Sequence, residues 1–346
     1  MMKAVVVCPG RGTYNKTELG YLRAHFPDTA LLARFDDRRR GEGQPAISEV
    51  DGAERFSIAG HTRGDNASAL IFAATLGDFL SLDRDAVEVV AVTGNSMGWY
   101  SALACAGAVS HDDGFHIANR MGTLMQRSLI GGQLIYPFID DDWRPRPERR
   151  AELLALIDTI AAAGHALHLS IDLGGMLVVA GDGGGLAAFE RAVPPVQQRF
   201  PMRLANHAAF HTPLMAPVAA QGREALPAEL FGDPKLPLID GRGAIWWPGA
   251  SDREALHGYT LGHQVVETYD FTRAIAIAAR EFAPDLFIVT GPGSTLGGAI
   301  VQSLILAGWR GLADKEAFRS RQSTEPLLYS MGMPEQRRLL VHADGG

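Results

Sequence analysis

Gly94-Asn95-Ser96-Met97-Gly98 lies between an apolar, β-branched run (Val87 to Thr93) and an alanine-rich stretch that opens at Trp99. A serine on a tight strand-to-helix turn is held with its hydroxyl in the open. Glycines flank it because side chains there would collide with the crossing backbone. The amides that open the helix face any oxyanion formed on a group attached to that serine. The spacing therefore predicts the nucleophile elbow of an acyl-transfer enzyme. Taken alone, the same five residues could also make an ordinary βα turn with a helix-capping serine.

A serine hydroxyl is a weak nucleophile near neutrality until a base takes its proton. Eleven histidines are available. His25, His61, His111 and His116 fall beside predicted turns or in helices, where packing and surface roles are usual. His211 stands apart, in Ala208-Ala209-Phe210-His211-Thr212-Pro213-Leu214-Met215, where Pro213 interrupts helix and apolar neighbours would shield an imidazole. The residues alone leave it one candidate among several. Gly10-Arg11-Gly12 followed by Lys16-Thr17 lacks the spacing of a phosphate loop. No Cys/His/Asp cluster has metal-ligand spacing.

Strands and helices must hold these residues. Lys3 to Cys8 reads as a buried strand stopped by Pro9-Gly10, Asn66 to Leu80 as a helix, and Ser110 as the cap of a helix reaching Gln126. Residues 36 to 50, with Arg38-Arg39-Arg40, read as a charged surface excursion, and Gly181 to Gly185 as a loop. The alternation implies an α/β fold, with a parallel sheet covered on both faces. This is an α/β-hydrolase-like large domain formed by residues 1–130 and 205–346. Between them, 131–204 reads as strand (133–138), helix (148–163), strand (166–172), strand (176–181), helix (186–192) and strand (200–204). That βαββαβ order is a small ferredoxin-like subdomain, inserted into the larger one. The remaining tail is polar and is expected to pack as one or two helices.

Composition narrows the function. The chain has 346 residues, 47% hydrophobic and 21% charged, with a net charge of −7, as in a globular enzyme with an ample core. That acidic balance argues against gripping nucleic acid through the overall field. The two cysteines, Cys8 and Cys105, read as buried free thiols in a reducing compartment. Neither a secretory signal nor an 18-residue apolar run is present, so a cytoplasmic protein without a membrane span is expected.

Read together, these motifs resemble the malonyl-CoA:acyl carrier protein transacylases and the acyltransferase domains of polyketide synthases. The family's Pro-Gly-Gln-Gly corresponds to Pro9-Gly10-Arg11-Gly12, and its Gly-His-Ser-Leu-Gly-Glu-Tyr-Ser-Ala-Leu to the residues from Gly94 to Leu103. Ala106-Gly107-Ala108-Val109-Ser110, Leu124-Met125-Gln126, Phe210-His211-Thr212-Pro213-Leu214-Met215 and Gly291-Pro292-Gly293-Ser294-Thr295-Leu296-Gly297-Gly298 continue the match in order. The resemblance implies that Ser96 forms an acyl-enzyme and that His211 serves as general base and then general acid. It also implies that the amides of Arg11 and Met97 form the oxyanion hole and that a backbone carbonyl, at about Glu267, orients the imidazole. Its substrates would be a coenzyme A thioester and the phosphopantetheine of an acyl carrier protein, in fatty acid or polyketide biosynthesis, with no metal or redox cofactor. A thioester hydrolase on the same scaffold, or a non-catalytic homologue that binds carrier protein, are the alternatives.

The departures concern the acyl pocket, expected at Asn95, Met121 and Phe210. Malonyl-using members carry, 25 residues after the serine, an arginine that pairs with the free carboxylate of the acyl group; here that position is Met121. Arg120 is adjacent, but one step along a helix turns it by about 100°. Asn95 replaces histidine, Trp99 replaces glutamate, and Arg11 replaces glutamine, which brings a cation near the site. A more apolar pocket and a neutral acyl group are the expectation. Arg38 to Arg40 and Arg144 to Arg150 are possible docking cations for an acidic carrier or coenzyme A phosphates.

Overall fold

The computed structural model describes residues 1–342. Two sheets organise the chain. The first runs β11-β10-β1-β2-β7-β8, with β1 Met2–Cys8, β2 Val87–Gly94, β7 Leu238–Ile239, β8 Ile245–Trp246, β10 Leu286–Val289 and β11 Leu328–Ser330. Every pairing is parallel except β7 with β8. From Ala4 to Cys8, and throughout β10, all residues are buried, as expected of parallel strands with both faces covered. The main helices are α1 Thr29–Gly41, α2 Gly64–Ser81, α3 Gly98–Cys105, α4 His111–Arg127, α5 Pro147–Ala162, α6 Gly183–Ala192, α7 Ala216–Ala225, α8 Phe271–Phe282 and α9 Leu296–Leu306. α3 lies on β1 and β2 and against α4, which packs along α2; α8 covers β2 and β7.

The second sheet runs β6-β3-β5-β4-β9, with β3 Gly132–Pro137, β4 Leu167–Leu173, β5 Met176–Gly181, β6 Met202–Arg203 and β9 Tyr269–Asp270. Its first four strands, with α5 and α6, keep the strand-helix-strand-strand-helix-strand order read from periodicity. β9 does not: it comes from beyond the inserted segment and pairs in parallel with β4. The Tyr269 hydroxyl then donates to the Gly94 carbonyl (2.7 Å), fastening the small sheet to the end of β2.

Three local expectations need correction. α6 begins at Gly183, inside the glycine run read as a loop, because Asp182 caps it by accepting from the Gly185 amide (2.6 Å). Arg38 to Arg40 lie in α1, a helix where an excursion was expected, with Arg38 half-buried and Arg40 exposed. Arg39 is fully buried, donating to the carbonyls of Pro45 and Asp65 and to Asn119, so it cannot dock a partner. The tail contributes β11 at the sheet edge in addition to short helices.

Glycines set the elbow's geometry. A Cβ at Gly98 would fall on the Cys8 carbonyl oxygen, and one at Gly94 on the Gly98 carbonyl. Both collisions are with backbone, which has little room to yield. G98A is therefore expected to destabilise the fold by about 2–4 kcal/mol, read as a lowered midpoint in chemical denaturation.

Candidate active site

β2 ends at Gly94, and the chain turns through Asn95, Ser96 and Met97 into α3. Ser96 has φ of 55°, in the left-handed region that a side chain occupies only when its surroundings hold it there. His211, at φ 57°, shares that property. Its loop is anchored by the His211 amide to the Val265 carbonyl (3.1 Å). A second anchor comes from the small sheet: Gln133 of β3 donates to Ser170 of β4 (2.7 Å), and Ser170 donates to the Phe210 carbonyl (2.7 Å). The second sheet thus positions the loop that carries the imidazole.

The two side chains meet. Ser96 Oγ lies 2.8 Å from His211 Nε2, while His211 Nδ1 donates to the Gln264 carbonyl at 2.6 Å. A proton on Nδ1 leaves Nε2 as the acceptor facing the hydroxyl. The orienting carbonyl therefore belongs to Gln264 and not, as expected, to Glu267. Gln264 acts twice, since its side-chain amide also donates to the Ser96 carbonyl (3.0 Å). Among the described residues, the amides of Arg11 and Met97 donate no hydrogen bond within the chain, and both residues face the cavity beside Ser96.

That cavity holds about 20 Å³, close to the space of one water. Phe210 lines it as expected, together with Met125, Tyr100 and Val265. Met121 does not: it is fully buried on α4 with its sulfur against Gly222 of α7. Met125, one helical turn further, takes the place expected of it. Asn95 is also outside the cavity, packed on Gly10 with its amide donating to the Cys8 carbonyl (2.9 Å). Periodicity on α4 could have found Met125; nothing local in sequence marked Tyr100, Gln264 or Val265.

Burial sets the charge states. It lowers His211 to about 4, against a small upward contribution from the bond to Gln264. His207, next to it, is held well below the ordinary histidine range by burial, then by Arg11 and His211. Arg11 is brought down to about 10 by burial and stays cationic at neutral pH. An acylation of Ser96 that used His211 as its base would be level from pH 8 down to about 5 and fall tenfold per unit below about 4, in a stopped-flow or quench profile. A histidine with its ordinary value would already halve the rate at pH 6.5. Stability has the same sign: the unfolded chain takes up the proton first, so stability is lost as pH falls from about 6.5 to about 4.

This pair of sheets holds together a serine on an elbow, an imidazole steered by a carbonyl and two amides that have no partner among the described residues. The chain has the fold of the acyl carrier protein malonyltransferases and resembles malonyl-CoA:acyl carrier protein transacylases and polyketide synthases in sequence. The acyl carrier protein S-malonyltransferase of Burkholderia pseudomallei superposes with a TM-score of 0.74 at 19% identity, over 98% of this chain and 99% of that one. The Synechocystis malonyl-CoA:ACP transacylase gives 0.73 at 16% identity, over 98% and 100%. In sequence, the malonyl CoA-acyl carrier protein transacylase of Bacillus subtilis is 25% identical over 75% of this chain and 85% of its own length. The polyketide synthase GfsA of Streptomyces halstedii is 24% identical over 97% of this chain, which spans 4% of that enzyme. No family model matches the chain. Among the described residues, no helix is long and apolar enough to cross a membrane.

Proposed function

We propose that this protein transfers an acyl group from a coenzyme A thioester to the phosphopantetheine thiol of an acyl carrier protein. The intermediate is an ester on Ser96. The observation that carries this reading is the 2.8 Å contact between Ser96 Oγ and His211 Nε2, with the imidazole held by the Gln264 carbonyl. Ser96 Oγ attacks the thioester carbonyl while Nε2 takes its proton, and the amides of Arg11 and Met97 receive the oxyanion. Collapse breaks the carbon–sulfur bond, and His211 returns the proton to the departing thiolate. The carrier thiol then gives its proton to Nε2 and attacks the seryl ester. Collapse of that second intermediate restores Ser96 and leaves the acyl group on the carrier. The chain and its two substrates supply every atom that moves.

A similar fold is described in a complex of a type II polyketide synthase acyl carrier protein with its malonyl-transacylase, at TM-score 0.69 and 19% identity, which supports a carrier protein as acceptor. We read the large unit as α/β-hydrolase-like and the inserted one as ferredoxin-like, in a protein of the cytoplasm. A neutral acyl group is the expectation from Met121 at the arginine position, but that side chain lies outside the cavity, whereas the cation Arg11 lines it. Transfer and hydrolysis separate on one test: the acylated protein is isolated and monitored with and without carrier protein bearing phosphopantetheine. Loss of the ester that requires the carrier is expected; rapid loss in buffer alone would identify a hydrolase.

A further inference from the structure

Arg11 is a half-buried cation without an ion pair among the described residues, and it lines the cavity that also holds Ser96. Its Nη2 donates to the carbonyls of Thr62 (2.9 Å) and Asn206 (2.9 Å), which fixes the guanidinium. Its Nε is buried with no hydrogen-bond partner, and Nη1 donates to no protein group among the described residues. The face of Phe210 lies 5.4 Å from the guanidinium carbon. Asp65, the one carboxylate that acts on Arg11 from a distance, is itself gripped by Arg63 through bonds of 3.1 and 3.0 Å. A buried donor left unpaired carries a desolvation cost, and a buried charge left unpaired a larger one. Nε carries the first of these costs, which an anion occupying the cavity that Arg11 shares with Ser96 would remove.

We propose that Arg11 is the specificity-determining residue of this site and that its unpaired N–H groups receive a carboxylate carried by the acyl group. The inference rests on the acyltransferase reading and deepens it. The substrate class is a thioester whose acyl group ends in a free carboxylate. The charge that reads it sits on the Pro9–Gly12 loop and not on α4, where Met121 is turned away against Gly222. Met121 therefore gives no information about the charge of the substrate. The backbone amide of Arg11 and its side chain would act on the two ends of one acyl group: the amide on the reacting carbonyl, the guanidinium on the terminal carboxylate.

The test measures Ser96 acylation by malonyl-CoA and by acetyl-CoA, each under single-turnover conditions, for the wild-type protein, R11K and R11Q. The wild type is expected to favour malonyl-CoA. R11Q should lower the malonyl-to-acetyl rate ratio by about 100-fold, and R11K should lie between the two. A role confined to bracing Thr62 and Asn206 would slow both donors together and leave the ratio unchanged, which would overturn the proposal. Preference of the wild type for acetyl-CoA would overturn it without any variant, and would leave the transferase reading standing. Labelling by neither donor nor any other thioester would overturn both.

Discussion

Replacing Ser96 by alanine should lower carrier acylation by about 10⁴- to 10⁶-fold while leaving the protein folded. The loss is large because in the proposed reaction Oγ is the atom that forms and breaks the ester, and Ser68, the other serine at the cavity, makes no hydrogen bond with His211 among the described residues. Folding is expected to survive for a specific reason. The left-handed conformation of residue 96 is already imposed on a residue with a Cβ, and alanine adds no atom to it. The bond to His211 is the only side-chain hydrogen bond Ser96 makes among the described residues. A melting temperature within a few degrees of the wild type, together with absent turnover, separates this outcome from simple unfolding.

His211→Ala is expected to cost about 10³- to 10⁴-fold in the acylation step. The base is lost, but the amides of Arg11 and Met97 remain, so some rate above background should persist. The remaining rate should rise with pH across the neutral range, because solvent base then has to remove the serine proton, whereas the wild-type profile is level there. Adding the two substitutions together should cost little more than Ser96→Ala alone, since the imidazole has no function without the hydroxyl. Additive losses would mean that His211 acts on something other than Ser96. Some destabilisation, about 1 kcal/mol, is expected as the Gln264 carbonyl loses its donor.

How much of the site was legible in the sequence divides by the range of the interaction. The elbow was legible because its cause is local: Gly94 and Gly98 sit within two residues of the serine, and the strand and helix around them have distinct periodicities. His211 was visible as an unusual histidine, but its pairing with Ser96 spans 115 residues and needed a family resemblance to be picked out. The orienting carbonyl was misplaced by counting back from Phe271. Between Tyr259 and His263 the chain forms a π-helical turn, and such a turn shifts the phase of the residues downstream of it. Residue counting therefore does not locate the carbonyl that reaches the ring.

The acyl pocket failed for a different reason. Met121 and Met125 share one face of α4, and which of them reaches the cavity depends on how deeply α7 packs at Gly222, a tertiary fact. Arg39 shows the same limit: three successive arginines read as surface, yet the middle one is drawn inside by backbone carbonyls 6 and 26 residues away. β9 and β11 are two and three residues long, too short to leave an alternating pattern, and they exist because a neighbouring strand offers them an edge.

If Ser96 carries the acyl group between two thiols, the group must be visible on the protein before it reaches the carrier. Intact-mass analysis after mixing the protein with acyl-CoA reads this out, with carrier protein bearing phosphopantetheine added second. One acyl increment is expected on the wild-type protein and none on Ser96→Ala, and the increment should disappear as the carrier gains it. An increment that persists on Ser96→Ala, or the absence of any increment with every thioester tried, would contradict the seryl ester as the intermediate.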